Sequence, residues 1–517
     1  MAFITTPYHT AISDYLHETD GNLIVNASPG SGKTTTSIRI IITSLIKELA
    51  RDARTVIGAY IAFNKKNADE AAAKISDPRV KASTVHAFML GCLRGKAKVE
   101  TDQEPNSRNG WRKSIGKTMR ITESLMPDED GHTGARRAQV CKLVDLAKSQ
   151  AMGLPGYADI SDRPAWEKII ATYSNNNNND DDDFDIIEWA QVVMRATLRD
   201  KEHADFIDMI YMPLFLGLPL PDVKFVVYDE GQDCTPLMLE MLIRLSNLGV
   251  RIVLVGDTNQ GINLFMGARP GALDFAREKL NASSLPLPVS YRAPKLIAEA
   301  ANGIFPNSII AADGAAEGSI TTTTYAEFLD SAVPGLSRND GVIARAHKYL
   351  IPLALQLMKG GREFSYKGIA ETVDLMTKML YHNNKGTLTD IRRGILEYQD
   401  AMEDRYTSSS GKMPAWLVRK REITDCLGIV LASVESDGGD IETVKKYLKT
   451  LSSAERCFSG PTLATIHASK GGEWRNVYIV GPPRSPLATT EDEIKAEACV
   501  EYVAITRALE NLICVTV

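Results

Sequence analysis

Asn22-Leu-Ile-Val-Asn-Ala-Ser-Pro-Gly-Ser-Gly-Lys-Thr-Thr35 is the stretch on which the reading of this chain turns. A short apolar run reads as a buried strand, a glycine-rich turn follows, and a helical pattern runs from Lys33 to Ala50. The turn fits the phosphate-loop template G-x-x-x-x-G-K-[ST], except that Ala27 holds the first glycine position. Gly30 and Gly32 let backbone amides turn inward around phosphate oxygens, and the helix N-terminus adds its positive dipole end. Ser28, Ser31 and Thr35 line the same turn. Lys33 is placed to reach the outer phosphates, and the Thr34 hydroxyl to ligate Mg²⁺. The alternative is a glycine-rich turn with a chance lysine, which would not require a strand before it and a helix after it.

A phosphate loop needs an acid for its metal, and Phe225-Val-Val-Tyr-Asp-Glu230 supplies one at a strand end. Asp229 is the expected Mg²⁺ partner, and Glu230 the base that polarises an attacking water. Paired acids at a strand end also serve as helix caps. Further strands are expected at 55–63, 251–255, 341–346, 476–480 and 511–517, alternating with helical patterns such as Lys65 to Ile75. That alternation predicts an α/β fold with parallel sheets. Two stretches, 96–215 and 371–455, are mostly helical and charged, and the tract Asn175 to Asp183 reads as a solvated loop. The chain of 517 residues is 44% hydrophobic with net charge −6, which excludes whole-chain disorder. No stretch reaches the roughly 18 apolar residues of a membrane helix, so a cytoplasmic protein is expected. Seven cysteines stand singly, which argues against zinc, iron–sulfur and disulfide scaffolds.

From Asp229-Glu-Gly-Gln-Asp233 onward the sequence resembles the superfamily 1 helicases of the UvrD/Rep type, which carry a D-E-x-Q-D box. Ala62-Phe-Asn-Lys-Lys66 with Ala68-Asp-Glu-Ala71 resembles their T-F-T-N-K-A-A segment, and Thr84-Val-His-Ala-Phe88 their T-x-H-x-F segment. Val255-Gly-Asp-Thr-Asn-Gln260 with Gly267-Ala268 resembles G-D-x-x-Q…G-A, and Ser290-Tyr-Arg292 resembles N-Y-R. Thr465-Ile-His-Ala-Ser-Lys-Gly-Gly-Glu-Trp474 resembles T-L-H-x-x-K-G-L-E-W, and Tyr502-Val-Ala-Ile-Thr-Arg-Ala508 resembles Y-V-A-x-T-R-A. The boxes run in order from residue 27 to 508 and thin out in the two helical stretches.

The resemblance implies two RecA-like P-loop domains, each with a mostly helical insertion, and ATP with Mg²⁺ in the cleft between them. The first domain would comprise 1–95 and 216–285 with an insertion at 96–215. The second would comprise 286–370 and 456–517 with a short insertion at 371–455. Catalytic roles fall by resemblance on Lys33, Glu230, Gln260, Arg292 and Arg507, metal binding on Thr34 and Asp229, and ATP contacts on Tyr291, Glu473 and His9. His9 stands where the family has an adenine-reading glutamine. DNA contacts fall on Phe63, Asn64, His86, Phe88, Phe265, Arg345 and His467. The competing readings are surface ion pairs for Arg292 and Arg507, a solvated strand end for Arg345, a surface position for His9, and core packing for Tyr291 and the other aromatics. The implied activity is ATP-driven translocation on single-stranded DNA and unwinding of tailed duplexes, with 3′→5′ polarity. The short second insertion keeps open an ATPase sensor or recruiting subunit that regulates a protein partner such as a nuclease.

Overall fold

The computed structural model describes residues 5–49, 57–100, 116–127, 134–173, 185–263, 267–382, 386–407, 413, 415–455, 457 and 459–517. The tract Asn175 to Asp183 and the DNA-contact candidate Phe265 lie outside them. The chain divides into two compact units, residues 1–288 and 289–517.

The first unit is built on a six-stranded, all-parallel sheet. Its strands are β1 (Leu23–Ala27), β2 (Gly58–Ala62), β3 (Val80–Thr84), β4 (Phe225–Asp229), β5 (Arg251–Gly256) and β6 (Ser283–Leu287). Their spatial order is β3-β2-β4-β5-β1-β6, with registers such as Val25 opposite Val255 and Tyr60 opposite Val227. The central strands are apolar on both faces because helices cover both. Ile24, Val226 and Leu254 enter one core with Val144, Trp166, Met194 and Tyr211 of the helical stretch. Val25, Val227 and Val253 enter the other with Ile12, Leu16, Ile41 and Leu45. The helices Gly134–Ser149, Arg163–Tyr173, Ile186–Arg199 and Asp208–Phe215 therefore share the core of the sheet. Gly58 is required by packing, because a Cβ there would fall 2.2 Å from the Phe225 ring.

The second unit repeats the plan. Its strands are β7 (Ser319–Thr324), β8 (Asp340–Ala344), β9 (Ser365–Lys367), β10 (Thr462–Thr465), β11 (Trp474–Val480) and β12 (Ala508–Thr516). They are parallel in the order β7-β12-β11-β8-β10-β9. Four helices between 370 and 454 pack Met376, Ile395, Leu427 and Leu448 into the same core as Val342 and Leu463. The expected α/β class, with parallel sheets and helical insertions, is what the chain adopts. Among the described residues no helix is long and apolar enough to cross a membrane.

Candidate nucleotide and nucleic-acid sites

The phosphate loop leaves the C-terminal end of β1. Gly30 (φ 73°) and Gly32 (φ 81°) take the left-handed conformation that turns the loop, and Gly32 is the N-cap of the helical run that starts at Lys33. That run passes through a π-helical segment at Ser37–Ile42. Lys33 Nζ lies back on the Ala27 carbonyl at 3.5 Å. Ser28 and Ser31 are buried, and the Ser31 hydroxyl has no hydrogen-bond partner among the described residues. A buried orphan hydroxyl inside a cationic loop fits an anionic ligand that completes its bonding. Thr34 and Thr35 follow on the first helical turn, half-buried.

The acids stand at the end of β4. Asp229 is buried; its Oδ2 accepts from the Tyr60 hydroxyl at 2.5 Å and its Oδ1 from the Glu230 N–H at 3.0 Å. Burial, and after it the charge of Glu230, pushes the Asp229 carboxyl up to about 6, against the pull of Tyr60 and Lys33. A carboxylate crowded in this way suits a hard divalent cation. Among the described residues no three His, Cys, Asp or Glu side chains form a protein-only metal cage. Magnesium held by one acid, one hydroxyl and substrate phosphates requires none. Glu230 is a non-glycine residue at φ 58°, a conformation that costs about 1–3 kcal/mol and clusters at functional sites.

A hydrogen-bonded chain joins the ends of β4 and β5. Gln232 Nε2 donates to Glu230, Gln232 Oε1 accepts from the Asp257 N–H at 3.0 Å, and Gln260 Nε2 donates to Asp257 Oδ2 at 2.6 Å. Burial raises the Asp257 pKa, against the opposing charge of Lys33. Lys33, Asp229, Glu230, Asp257 and Gln260 thus converge on one end of the sheet. Gln232, Asp257 and Tyr60 were not assigned roles from sequence. The first two lie inside quoted boxes, whereas Tyr60 reads as an ordinary strand residue.

His9 departs from its expected role. It is 1% exposed; Nδ1 bonds the Thr6 backbone N–H and hydroxyl, and Nε2 lies 3.0 Å from Thr36 Oγ1. Burial lowers its pKa, so the neutral ring is the favoured form. Both nitrogens are spent inside the protein, so His9 caps the first helix and ties it to the phosphate-loop helix, and does not present a ring edge to adenine.

In the second unit, Tyr291 is 47% exposed. Arg292 pairs with Glu473 and donates from Nη2 to the Thr506 carbonyl at 3.3 Å. Glu473 is therefore engaged by an arginine. Arg507 is buried and donates from Nε to the Val503 carbonyl at 2.9 Å and from Nη2 to Thr506 Oγ1 at 3.1 Å. Its guanidinium braces the turn before β12 rather than standing free for a phosphate.

The expected DNA contacts divide. Phe63, 36% exposed, and Asn64 sit together just past the end of β2, but Asn64 Oδ1 is taken by the N–H of Asn67 as a helix cap. His86 stacks on Phe206 with centroids 3.7 Å apart and planes 21° apart, and burial lowers its pKa to about 4. Phe206 is 59% exposed and stood outside the sequence boxes; its signal is tertiary. Phe88 packs half-buried against the core, as its competing reading holds. Arg345 is gripped by both oxygens of Glu497 at 2.9 and 2.6 Å, so it is neither a solvated strand end nor a free phosphate donor. His467 is half-buried, with its pKa lowered to about 4 by burial and then by the charge of Arg345.

Comparison with known proteins agrees with this layout. The family model described as the UvrD/REP helicase N-terminal domain matches residues 9–281, and that of the UvrD-like helicase C-terminal domain matches 436–517. The ATP-dependent DNA helicase PcrA of Leuconostoc citreum is 23% identical over 325 residues, covering 58% of this chain and 39% of that protein. The ATP-dependent DNA helicase UvrD2 of Mycobacterium tuberculosis is 25% identical over 332 residues, covering 55% and 46%. The F-box DNA helicase protein 1 of Schizosaccharomyces pombe is 27% identical over 529 aligned residues, covering 95% and 55%. The chain thus spans about half or less of the length of these relatives. With the N-terminal family model matched over more than half its residues, by a stretch that carries the phosphate loop, the strand-end acids and Gln260, the chain belongs to the UvrD/REP helicase family.

Proposed function

We propose that this chain is an ATP-hydrolysing motor that moves along single-stranded DNA and unwinds tailed duplexes, with 3′→5′ polarity. The observation that carries the reading is the linked set Glu230–Gln232–Asp257–Gln260 beside Lys33 and Asp229. Such a set can hold a phosphate chain and orient a water against it. Lys33 and the loop amides bind the phosphates, and Ser31 adds a donor. Glu230, held by Gln232, takes the proton of the attacking water, while Gln260 senses the terminal phosphate. Magnesium, held by Thr34 and Asp229, would supply charge neutralisation on the phosphates. Arg292 and Arg507 enter the proposal from their sequence boxes as cations for the developing charge, which requires both to exchange their present partners. Tyr291 offers an exposed ring for the base. Polarity rests on the Lys470-Gly-Gly-Glu473 box alone.

For DNA, the exposed ring of Phe206, stacked on half-buried His86, and Phe63 offer π-faces to bases. A neutral His86 at physiological pH favours stacking over a phosphate contact. The test is ATP hydrolysis with and without single-stranded DNA, with Lys33→Ala as control. Strong stimulation that the substitution abolishes is the expected result. ATP binding without stimulation overturns the autonomous motor and points to an ATPase that acts through a protein partner such as a nuclease.

A further inference from the structure

Tyr60 sits at the centre of β2, beside β4, with its Cα opposite Val227. Its ring belongs to the core that also holds Val25, Val227 and Val253. Asp229 lies two residues further along β4, on the same face as Val227, which is roughly 6.6 Å at the rise of a strand. A tyrosine ring spans that distance, so the hydroxyl leaves the core at the strand end and donates to Asp229 Oδ2 at 2.5 Å. The Thr34 side chain lies close enough to the same hydroxyl to act on it electrostatically. Thr34 and Asp229 come from different elements, the phosphate-loop helix and β4, and they are the two side chains proposed above to hold magnesium. One buried hydroxyl from a third element holds the second of them, Asp229. Asp229 Oδ1 is already held by the Glu230 N–H, so the carboxylate is fixed at both oxygens and keeps lone pairs for a further partner.

We propose that Tyr60 is a positioning residue of the magnesium site: its hydroxyl fixes the carboxylate of Asp229 before a metal–nucleotide complex arrives. This rests on the nucleotide-site reading above. Partners behind a metal ligand typically change metal affinity about 10–100-fold when removed. The ring itself is core and survives in Tyr60→Phe.

The experiment is a titration of a fluorescent ADP analogue against the full chain, in EDTA and across magnesium concentrations. For Tyr60→Phe, affinity in EDTA should stay within about twofold of the parent. The magnesium concentration that gives half of the affinity gain should rise about tenfold, and saturating magnesium should restore the parent value. Tyr60→Met, which fills the core without a hydroxyl, should show the same magnesium defect. A parent-like magnesium response in either variant overturns the inference, as does an equal loss of affinity with and without the metal. A parent protein whose nucleotide affinity ignores magnesium overturns the nucleotide-site reading itself, and this inference with it.

Discussion

Asp208 in the helical part of the first unit accepts from Lys148 Nζ at 2.8 Å and from Lys117 Nζ at 3.1 Å, and all three side chains are at most 1% exposed. Two buried ammonium groups therefore depend on one carboxylate. Burial works against the charge of Lys148, yet Asp208, with Asp145 behind it, raises the Lys148 pKa. Burial lowers that of Lys117, which Asp208 offsets only in part while Lys148 repels it. Burial would also raise Asp208, but the two lysines hold its pKa below the ordinary value. Asp208→Asn leaves both cations without their carboxylate. Removing one partner of a buried pair costs about 3–5 kcal/mol, and with two cations stranded about 4 kcal/mol is expected at pH 7.

The pH dependence has a definite sign. The depressed pKa of Asp208 makes its stabilisation fully present above the usual carboxylate range, near pH 4, and lost as pH falls through the native value. In the variant, the lysines have native pKa values depressed by burial, so the unfolded chain binds more protons and stability rises with pH up to about 10.4. The gap to the parent should therefore narrow between pH 7 and pH 9. Denaturant unfolding, followed by the fluorescence of the buried Trp166, measures it at both pH values. Replacing all three by apolar residues, Lys117→Met, Asp208→Leu and Lys148→Met, should recover most of the loss. A cost below about 1 kcal/mol, a gap indifferent to pH, or a triple variant as weak as the single one refutes the reasoning.

Glu230→Gln should lower ATP hydrolysis about 10²–10⁴-fold while nucleotide affinity persists, and activity within tenfold of the parent would put the base elsewhere. Gly256→Ala places a Cβ 2.4 Å from Gln232 Oε1 and 3.1 Å from the backbone nitrogens of Gly231 and Gln232, so the link from Glu230 to Asp257 must break. A lower melting temperature and hydrolysis reduced to the level of Gln232→Ala are expected, and a parent-like rate would show that the link is dispensable. Phe206→Ala should weaken single-stranded DNA binding by about 1–3 kcal/mol with little change in salt dependence, measured by fluorescence anisotropy. Unchanged affinity would remove the Phe206–His86 stack from the DNA path.

Much of the architecture could be read from the chain alone, because its determinants are local. A run of Leu-Ile-Val, two glycines that tolerate positive φ and a helix start specify strand, loop and helix within about fifteen residues. Strand-end acids in a Phe-Val-Val-Tyr setting are equally local, and the order of the boxes carried the family. What the sequence could not reveal is which side chain completes which. Tyr60 meets Asp229 across 169 positions, Lys117 meets Asp208 across 91, and Arg345 meets Glu497 across 152. The first depends on strand order and register, where a one-residue slip would turn the side chain to the opposite face, and the other two on how helices pack against the rest of the fold. The same cause explains the departures. His9, Phe88 and Arg345 carry the right chemistry for a ligand, but packing gives His9 to Thr6 and Thr36, Phe88 to the core and Arg345 to Glu497. Sequence by itself determined the two parallel sheets, the phosphate loop and the acids beside it. Tertiary structure alone decided which polar groups remain available to a ligand, because a buried donor takes whichever acceptor the fold brings within reach.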